Sequence, residues 1–187
     1  MKTQIILAGV GGQGVLFSSR IFSELGLKLG LEITGAETHG MSQRGGSVVA
    51  HMKLGGFQSP TVRGGTADIL YSFEEKETYR NVHFLKNGSL CFVNMADKDR
   101  FNQKILQHLE KKDIVFHAFD ATGIALEMGS VRAANISLIG FSLGTGLTSF
   151  DHKDLKDVLR RLSRKADLDL NLKIFDTGVE LGKKSRN

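Results

Sequence analysis

The sequence predicts a three-layer α/β/α fold, with a mostly parallel sheet and helices on both faces. Three observations predict it. Short apolar runs of strand length alternate with longer segments of helical periodicity along the whole chain. The first run, Gln4–Gly9, leads into a glycine-rich loop that opens a helix. The composition favours tight turns over rigid linkers: there are 22 Gly and one Pro, Pro60, where ordinary usage is about 7% and about 5%. At 187 residues, with no internal repeat, low-complexity tract or clear linker, the chain is expected to form a single domain, 1–187.

The elements follow in order. Gln4–Gly9 reads as a buried strand. Val15, Phe22, Leu25 and Leu29 then recur at helical spacing, with Gly30 as the stop signal. Glu32–Ala36 reads as a second strand. Ser47–Leu54 is rich in β-formers and suits an antiparallel strand. Asp68–Phe73 is a further strand and Glu74–Leu85 a helix. Asn87-Gly88 signals a turn before strand Leu90–Asn94. Asp97–Lys112 is a helix, with Phe101, Ile105, Leu106 and Leu109 on one face. Ile114–Phe119 is a strand and Thr122–Met128 a short helix. Ala133–Leu143 is apolar throughout and fits helix or strand equally. Asp151–Arg164 is an amphipathic helix with Leu155, Val158, Leu159 and Leu162 inward, and a last helix spans about Leu168–Leu181.

Composition excludes several function classes. Cys91 is the only cysteine, so the chain forms no internal disulfide and holds no Cys-ligated iron–sulfur cluster by itself. A lone thiol points to a reducing, cytoplasmic setting. The net charge is +5, but basic residues are spread thinly and alternate with acidic ones near the C-terminus. There is no Trp, and Tyr71 and Tyr79 lie outside any basic cluster, so the pattern of a nucleic-acid binder is missing. No stretch reaches the ~18 apolar residues of a membrane span. Ile5–Val10 breaks into glycine too early for a signal peptide, and no A-x-A site follows. The chain is therefore expected to be soluble and untargeted.

The chemistry concentrates in two loops. Gly9-Val10-Gly11-Gly12-Gln13-Gly14 matches G-x-G-x-x-G after a strand and before a helix, which makes the sheet Rossmann-like. Backbone amides and the helix dipole of such a loop suit a pyrophosphate. The alternative is that these glycines only let the helix pack closely on the sheet. A P-loop is ruled out by Val15 and Leu16, which stand where Lys and Ser/Thr belong. The second loop is Glu37-Thr38-His39-Gly40-Met41-Ser42-Gln43-Arg44-Gly45-Gly46. It gathers two opposite charges, an imidazole and an amide on a glycine-rich backbone, the pattern of a recognition loop rather than a polar connection. Glu37 stands about where a ribose-binding acid would sit if the ligand were a dinucleotide.

Other motifs carry less. Gly140-Phe141-Ser142-Leu143-Gly144 matches the nucleophile elbow G-x-S-x-G, but the only later histidine, His152, is too near to complete a triad. The six histidines show no metal spacing, so no metal site is expected. Cys91 reads as a buried small hydrophobe. Asn135 either orients a loop or partner, or caps a helix.

The two loops together resemble the gamma domain of 2-oxoacid:ferredoxin oxidoreductases, and within that family the small (beta) subunit of indolepyruvate ferredoxin oxidoreductase. Ser59-Pro60, Asp68-Ile69-Leu70, Phe73-Glu74 and Arg132-Ala133-Ala134-Asn135 extend the likeness in the expected order, over roughly residues 3–180. The resemblance implies oxidative decarboxylation of a 2-oxoacid, such as indolepyruvate or pyruvate, to an acyl-CoA with reduction of ferredoxin. It implies that larger partner subunits hold thiamine diphosphate, Mg²⁺ and 4Fe-4S clusters, and that this domain closes over the active site and bears on coenzyme A access. The glycine loop (Gly9, Gly11, Gly12, Gln13, Gly14) would then face coenzyme A. Glu37, His39 and Arg44 become candidates for proton transfer, anion binding or subunit contact. Two features depart from the pattern: the charged run Glu74-Glu75-Lys76-Glu77 and the basic tail Lys183-Lys184-Ser185-Arg186. The rival reading is a stand-alone NAD(P)-binding oxidoreductase or sensor. A third is a scaffold whose glycine loops serve only assembly.

Overall fold

The computed structural model describes residues 1–39 and 45–186, with His39 described by its backbone alone. Six strands form one sheet in the order β2-β3-β1-β4-β5-β6: β1 (Thr3–Val10), β2 (Ile33–His39), β3 (Ser47–Leu54), β4 (Ala67–Ser72), β5 (Leu85–Asn94) and β6 (Val115–Phe119). The pairs β1–β4, β4–β5 and β5–β6 are parallel, and β3 runs antiparallel to both β1 and β2. Helices cover both faces of the α/β sheet. One face carries α1 (Val15–Lys28), α4 (Ala121–Glu127), α5 (Ala134–Gly144), α6 (His152–Leu162) and α7 (Leu168–Lys184); the other carries α2 (Glu75–Asn81) and α3 (Gln103–Lys111).

This layering accounts for the apolar run of β1. Ile5 and Leu7 pack into the core on the α1 side, Ile6 and Ala8 into the core on the α2 side, and all four are fully buried. Helix α1 ends where Gly30 adopts φ +67°. There the Gly30 N–H donates to the Leu27 carbonyl and the Leu31 N–H to the Gly26 carbonyl, the paired bonds of a Schellman motif.

The ambiguous segment Ala133–Leu143 is helix α5, and it is apolar all round because it is buried all round. It lies between the sheet and α7, and the two helices meet backbone to backbone. A Cβ on Gly140 would stand 2.3 Å from the Phe175 carbonyl oxygen, one on Gly144 2.2 Å from that of Val179, one on Gly178 2.4 Å from that of Ser137, and one on Gly182 2.1 Å from that of Phe141. The G-x-S-x-G match is therefore half of a helix crossing. Ser142 Oγ donates to the Ile139 carbonyl (2.7 Å) and accepts from the Tyr71 hydroxyl (2.8 Å). Tyr71 is fully buried, and without Ser142 its hydroxyl would be stranded at a cost of about 1–3 kcal/mol.

Four local readings need correction. The segment Glu74–Leu85 is the shorter α2 followed by a 3-10 turn at Val82–Phe84. Asn87-Gly88 bulges within β5: Leu85 pairs with Ala67 and Leu90 with Ile69, while the Gly88 N–H bonds the Lys112 carbonyl. The helix expected over Asp97–Lys112 is broken in two. Asp97 caps a 3-10 turn, and Asn102 restarts the chain as α3 by accepting from the N–H groups of Lys104 (3.0 Å) and Ile105 (3.3 Å). Finally, β2 extends to His39, beyond Ala36, because it forms an antiparallel hairpin with β3.

Candidate functional site

Two loops meet at the carboxyl end of β1. In the sheet register Gly9 lies opposite Val48, which lies opposite His39, and Val10 lies opposite Ser47. His39 and Ser47, the last residue of β2 and the first of β3, therefore lie level with the glycine loop. The Gly11 N–H donates to the Gly46 carbonyl at 2.9 Å and ties the loops together. Gly40, Met41, Ser42, Gln43 and Arg44 lie outside the described residues, as does the side chain of His39. Gly45 is exposed with φ +78°.

The glycine loop is closed on itself. Gln13 Oε1 accepts the Val10 N–H (2.9 Å), and the Gln13 N–H donates to the Val10 carbonyl (3.1 Å). The close-packing reading holds at two of these glycines. A Cβ on Gly9 would meet Gln13 Oε1 and Val15 Cγ2 at 3.0 Å, and one on Gly14 would meet Asn135 Nδ2 at 2.6 Å, so these two permit close packing. Gly12 has φ +102° with open space around its Cα, so it is there for its backbone shape. Among the described residues no acceptor faces the amides of Gly12, Val15 and Leu16. They open onto a cleft of about 410 Å³ lined by Val10, Gly11, Gly12, Gly14, Val15, Leu16 and Val48. None of these side chains is ionisable, and the first turn of α1 carries no acid. The positive end of α1 thus supplies the attraction for an anion there.

Glu37 stands elsewhere. Its strand β2 is the sheet edge, and antiparallel β3 separates it from β1. In a dinucleotide fold the acid ends a strand directly beside the first. Here it is displaced by one strand, about 4.8 Å further out. The carboxylate accepts a hydrogen bond from Ser19 Oγ on α1 (2.8 Å) and borders a separate cleft of about 350 Å³ with Ser23, Gly35 and Met52.

Sequence reasoning left Asn135 with two roles open and gave Glu74 and Glu77 no role at the site. Asn135 is 1% exposed and donates to the Gly14 carbonyl (3.2 Å) and to Ser18 Oγ (3.0 Å), so it orients the loop and does not cap α5. Its Oδ1 has no partner among the described residues. Glu74 accepts from Gln13 Nε2 (2.9 Å), and Glu77 accepts from Ser47 Oγ (2.6 Å) and pairs with Arg80. The charged run that departs from the family pattern thus holds the glycine loop and the start of β3. Only the spacing of Glu74 and Glu77, one helical turn apart, hinted at a shared face.

Other groups are committed elsewhere. Cys91 is fully buried in β5, where burial pushes its thiol pKa up, and it does not fit a cluster ligand. His152 Nε2 bonds Asp176 (3.1 Å), away from Ser142. Among the described residues no three His, Cys, Asp or Glu gather as a metal site, and no helix is long and apolar enough to cross a membrane.

Comparison with known proteins places this architecture. Residues 4–181 match the family described as pyruvate ferredoxin/flavodoxin oxidoreductase. The chain is similar to indolepyruvate oxidoreductase subunit IorB of Pyrococcus horikoshii, at 35% identity over 98% of this chain and 97% of that one. Its fold resembles the gamma subunit of a keto/oxoacid ferredoxin oxidoreductase from Geobacter sulfurreducens, with TM-score 0.77, 19% identity, and 97% and 99% of the two chains covered. It also resembles part of 2-oxoglutarate:ferredoxin oxidoreductase from Magnetococcus marinus, a structure with 2-oxoglutarate, coenzyme A and succinyl-CoA bound, with TM-score 0.77, 21% identity, and 98% of this chain against 31% of that one. With the paired loops, the inserted antiparallel strand and a match spanning nearly all its residues, the chain belongs to the pyruvate ferredoxin/flavodoxin oxidoreductase family.

Proposed function

We propose that this chain is the subunit of a 2-oxoacid:ferredoxin oxidoreductase that binds neither cluster nor thiamine. The complex would oxidatively decarboxylate a 2-oxoacid to an acyl-CoA and pass the electrons to ferredoxin. The observation that carries the reading is the end-to-end likeness to subunit IorB, which also makes indolepyruvate the first substrate to test. Thiamine diphosphate, Mg²⁺ and 4Fe-4S clusters belong to the larger partner subunits, in keeping with a chain whose one thiol is buried. The chain itself forms one domain and works in the cytoplasm, without contact to nucleic acid or membrane.

At the site, the free amides at the start of α1 receive a phosphate of coenzyme A in the 410 Å³ cleft. Arg44 and the amides of Gly45 and Gly46 hold an anionic group at the rim, a carboxylate or a phosphate. Glu37 and His39 set the second loop against the thiamine-bearing subunit or pass a proton there. A dinucleotide reading is disfavoured by the displacement of Glu37 to the sheet edge.

The test is to tag the chain in its host, isolate what copurifies with oxygen excluded, and assay 2-oxoacid-dependent viologen reduction with coenzyme A. A brown partner and activity are expected, with the preferred oxoacid naming the substrate. A lone, colourless, inactive chain that binds NADH in a fluorescence titration would overturn the proposal.

A further inference from the structure

Helix α2 bonds to the glycine loop and to the first residue of β3, from two carboxylates one turn apart. Glu74, its N-cap, takes the Nε2–H of Gln13, whose other amide atom closes the glycine loop on Val10. Glu77 takes the hydroxyl of Ser47, the first residue of β3, and is 1% exposed. A buried carboxylate is costly unless paired and hydrogen-bonded, and Arg80 and Ser47 supply both conditions. The helix is anchored in turn. Ser72 Oγ donates to the Glu74 carbonyl (2.8 Å) and Asn81 Nδ2 to the Glu77 carbonyl (2.8 Å). Ser72 ends β4, which pairs directly with β1, so the scaffold that carries the two acids also carries the glycine loop.

We propose that Glu74 and Glu77 are positioning residues, which hold the glycine loop and the start of β3 at a fixed separation so that the cleft lined by Gly11, Gly12 and Val48 keeps its width for an anionic ligand. The loops share only one backbone hydrogen bond among the described residues, Gly11 to Gly46, and α2 supplies the other constraints. Neither carboxylate lines the glycine-loop cleft, so neither touches the ligand there. The proposal rests on the oxidoreductase reading above, and its test separates the two failures.

Glu74→Ala, Glu74→Gln, Gln13→Ala and Ser47→Ala are made in the chain and purified with its partner. Steady-state viologen reduction gives kcat and the KM for coenzyme A, and hydrogen exchange of the complex gives protection at residues 10–16. Glu74→Ala should raise the KM roughly tenfold, about what one hydrogen bond to a charged group is worth, and leave kcat within about twofold. Glu74→Gln, which keeps an acceptor oxygen, should restore most of the loss. The Gln13→Ala/Glu74→Ala double variant should lose no more than Gln13→Ala alone, which already cuts the bond to Glu74 along with the one to Val10. Exchange at residues 10–16 should rise in Glu74→Ala and Gln13→Ala, and stay unchanged in α5. Unchanged KM and exchange in Glu74→Ala would overturn the proposal, as would equal damage in Glu74→Ala and Glu74→Gln. Ser47→Ala covers the case in which the Glu74 variants do not fold. A wild-type complex without 2-oxoacid activity would sink the proposed function instead, and the exchange measurement would still decide the clamp.

Discussion

The glycine loop at residues 9–14 and the crossing of α5 with α7 are both glycine-rich, yet glycine does different work in each. At the crossing, Gly140, Gly144, Gly178 and Gly182 lie within helices, and what matters is the missing Cβ, because the facing carbonyl oxygens stand where it would be. In the loop, Gly12 and Gly14 hold φ values of +102° and +81°, and what matters at Gly12 is backbone shape and an uncovered amide. Gly14 shares both demands, since Asn135 also presses against it. Similar composition thus builds a close helix crossing on one face of the sheet and a loop with uncovered amides at its carboxyl end.

Substitutions break the comparison apart. The largest expected effect is Gly140→Val, which drives side-chain carbon into the backbone of α7 and should cost about 3 kcal/mol or more, read as a lower urea midpoint. If the midpoint stays put, the helices are not in backbone contact. Gly14→Ala follows at about 2 kcal/mol, from positive φ and the collision with Asn135. Adding Asn135→Ala should recover part of that loss, and strict additivity would contradict the contact. Gly12→Ala meets open space and should cost only about 1 kcal/mol from its φ, while weakening coenzyme A binding by the complex.

The smallest effect is a pH dependence seated in the core. Burial lowers the pKa of His117, which stacks on Phe92 and meets Phe141 of α5 edge-on. Burial, with a smaller effect from Lys53, lowers that of His51, whose Nδ1 accepts the Val62 N–H at 3.1 Å. Both imidazoles are held neutral in the fold and protonate more readily when it is lost. Their contribution is complete above the ordinary imidazole value of 6.5 and is lost as pH falls below it. The Tm should therefore drop between pH 7 and 5.5. A His51→Gln/His117→Gln double variant should flatten that slope, and an unchanged slope would place the pH response elsewhere.

Much of the fold was legible in the sequence because strand-length runs and helical periodicity record burial directly. Ser47–Leu54 was readable as an antiparallel strand from its β-branched content, and the structure has it with those bounds. The insertion of β3 between β1 and β2 was not legible, since local pattern carries no strand order. That order moved Glu37 away from the position expected of a ribose ligand. Helix α5 was ambiguous because burial on all sides erases the amphipathic signal. Both loops of the site stood out through their glycines. The partners that hold them did not: Asn135, readable as a loop-orienting residue or a cap, lies 121 positions from Gly14 and Glu74 lies 61 from Gln13, and a single sequence does not pair residues at such separations.

The central claim is that this chain completes a 2-oxoacid oxidoreductase by supplying a two-loop rim. The most direct measurement is a reconstitution. The purified partner subunit is assayed for viologen reduction with indolepyruvate and coenzyme A, before and after addition of this chain in increasing ratio. The account predicts negligible turnover without the chain and saturable recovery with it, and a smaller recovery when the added chain carries Arg44→Ala. Full activity of the partner alone, or no activity at any ratio with any 2-oxoacid, would contradict it.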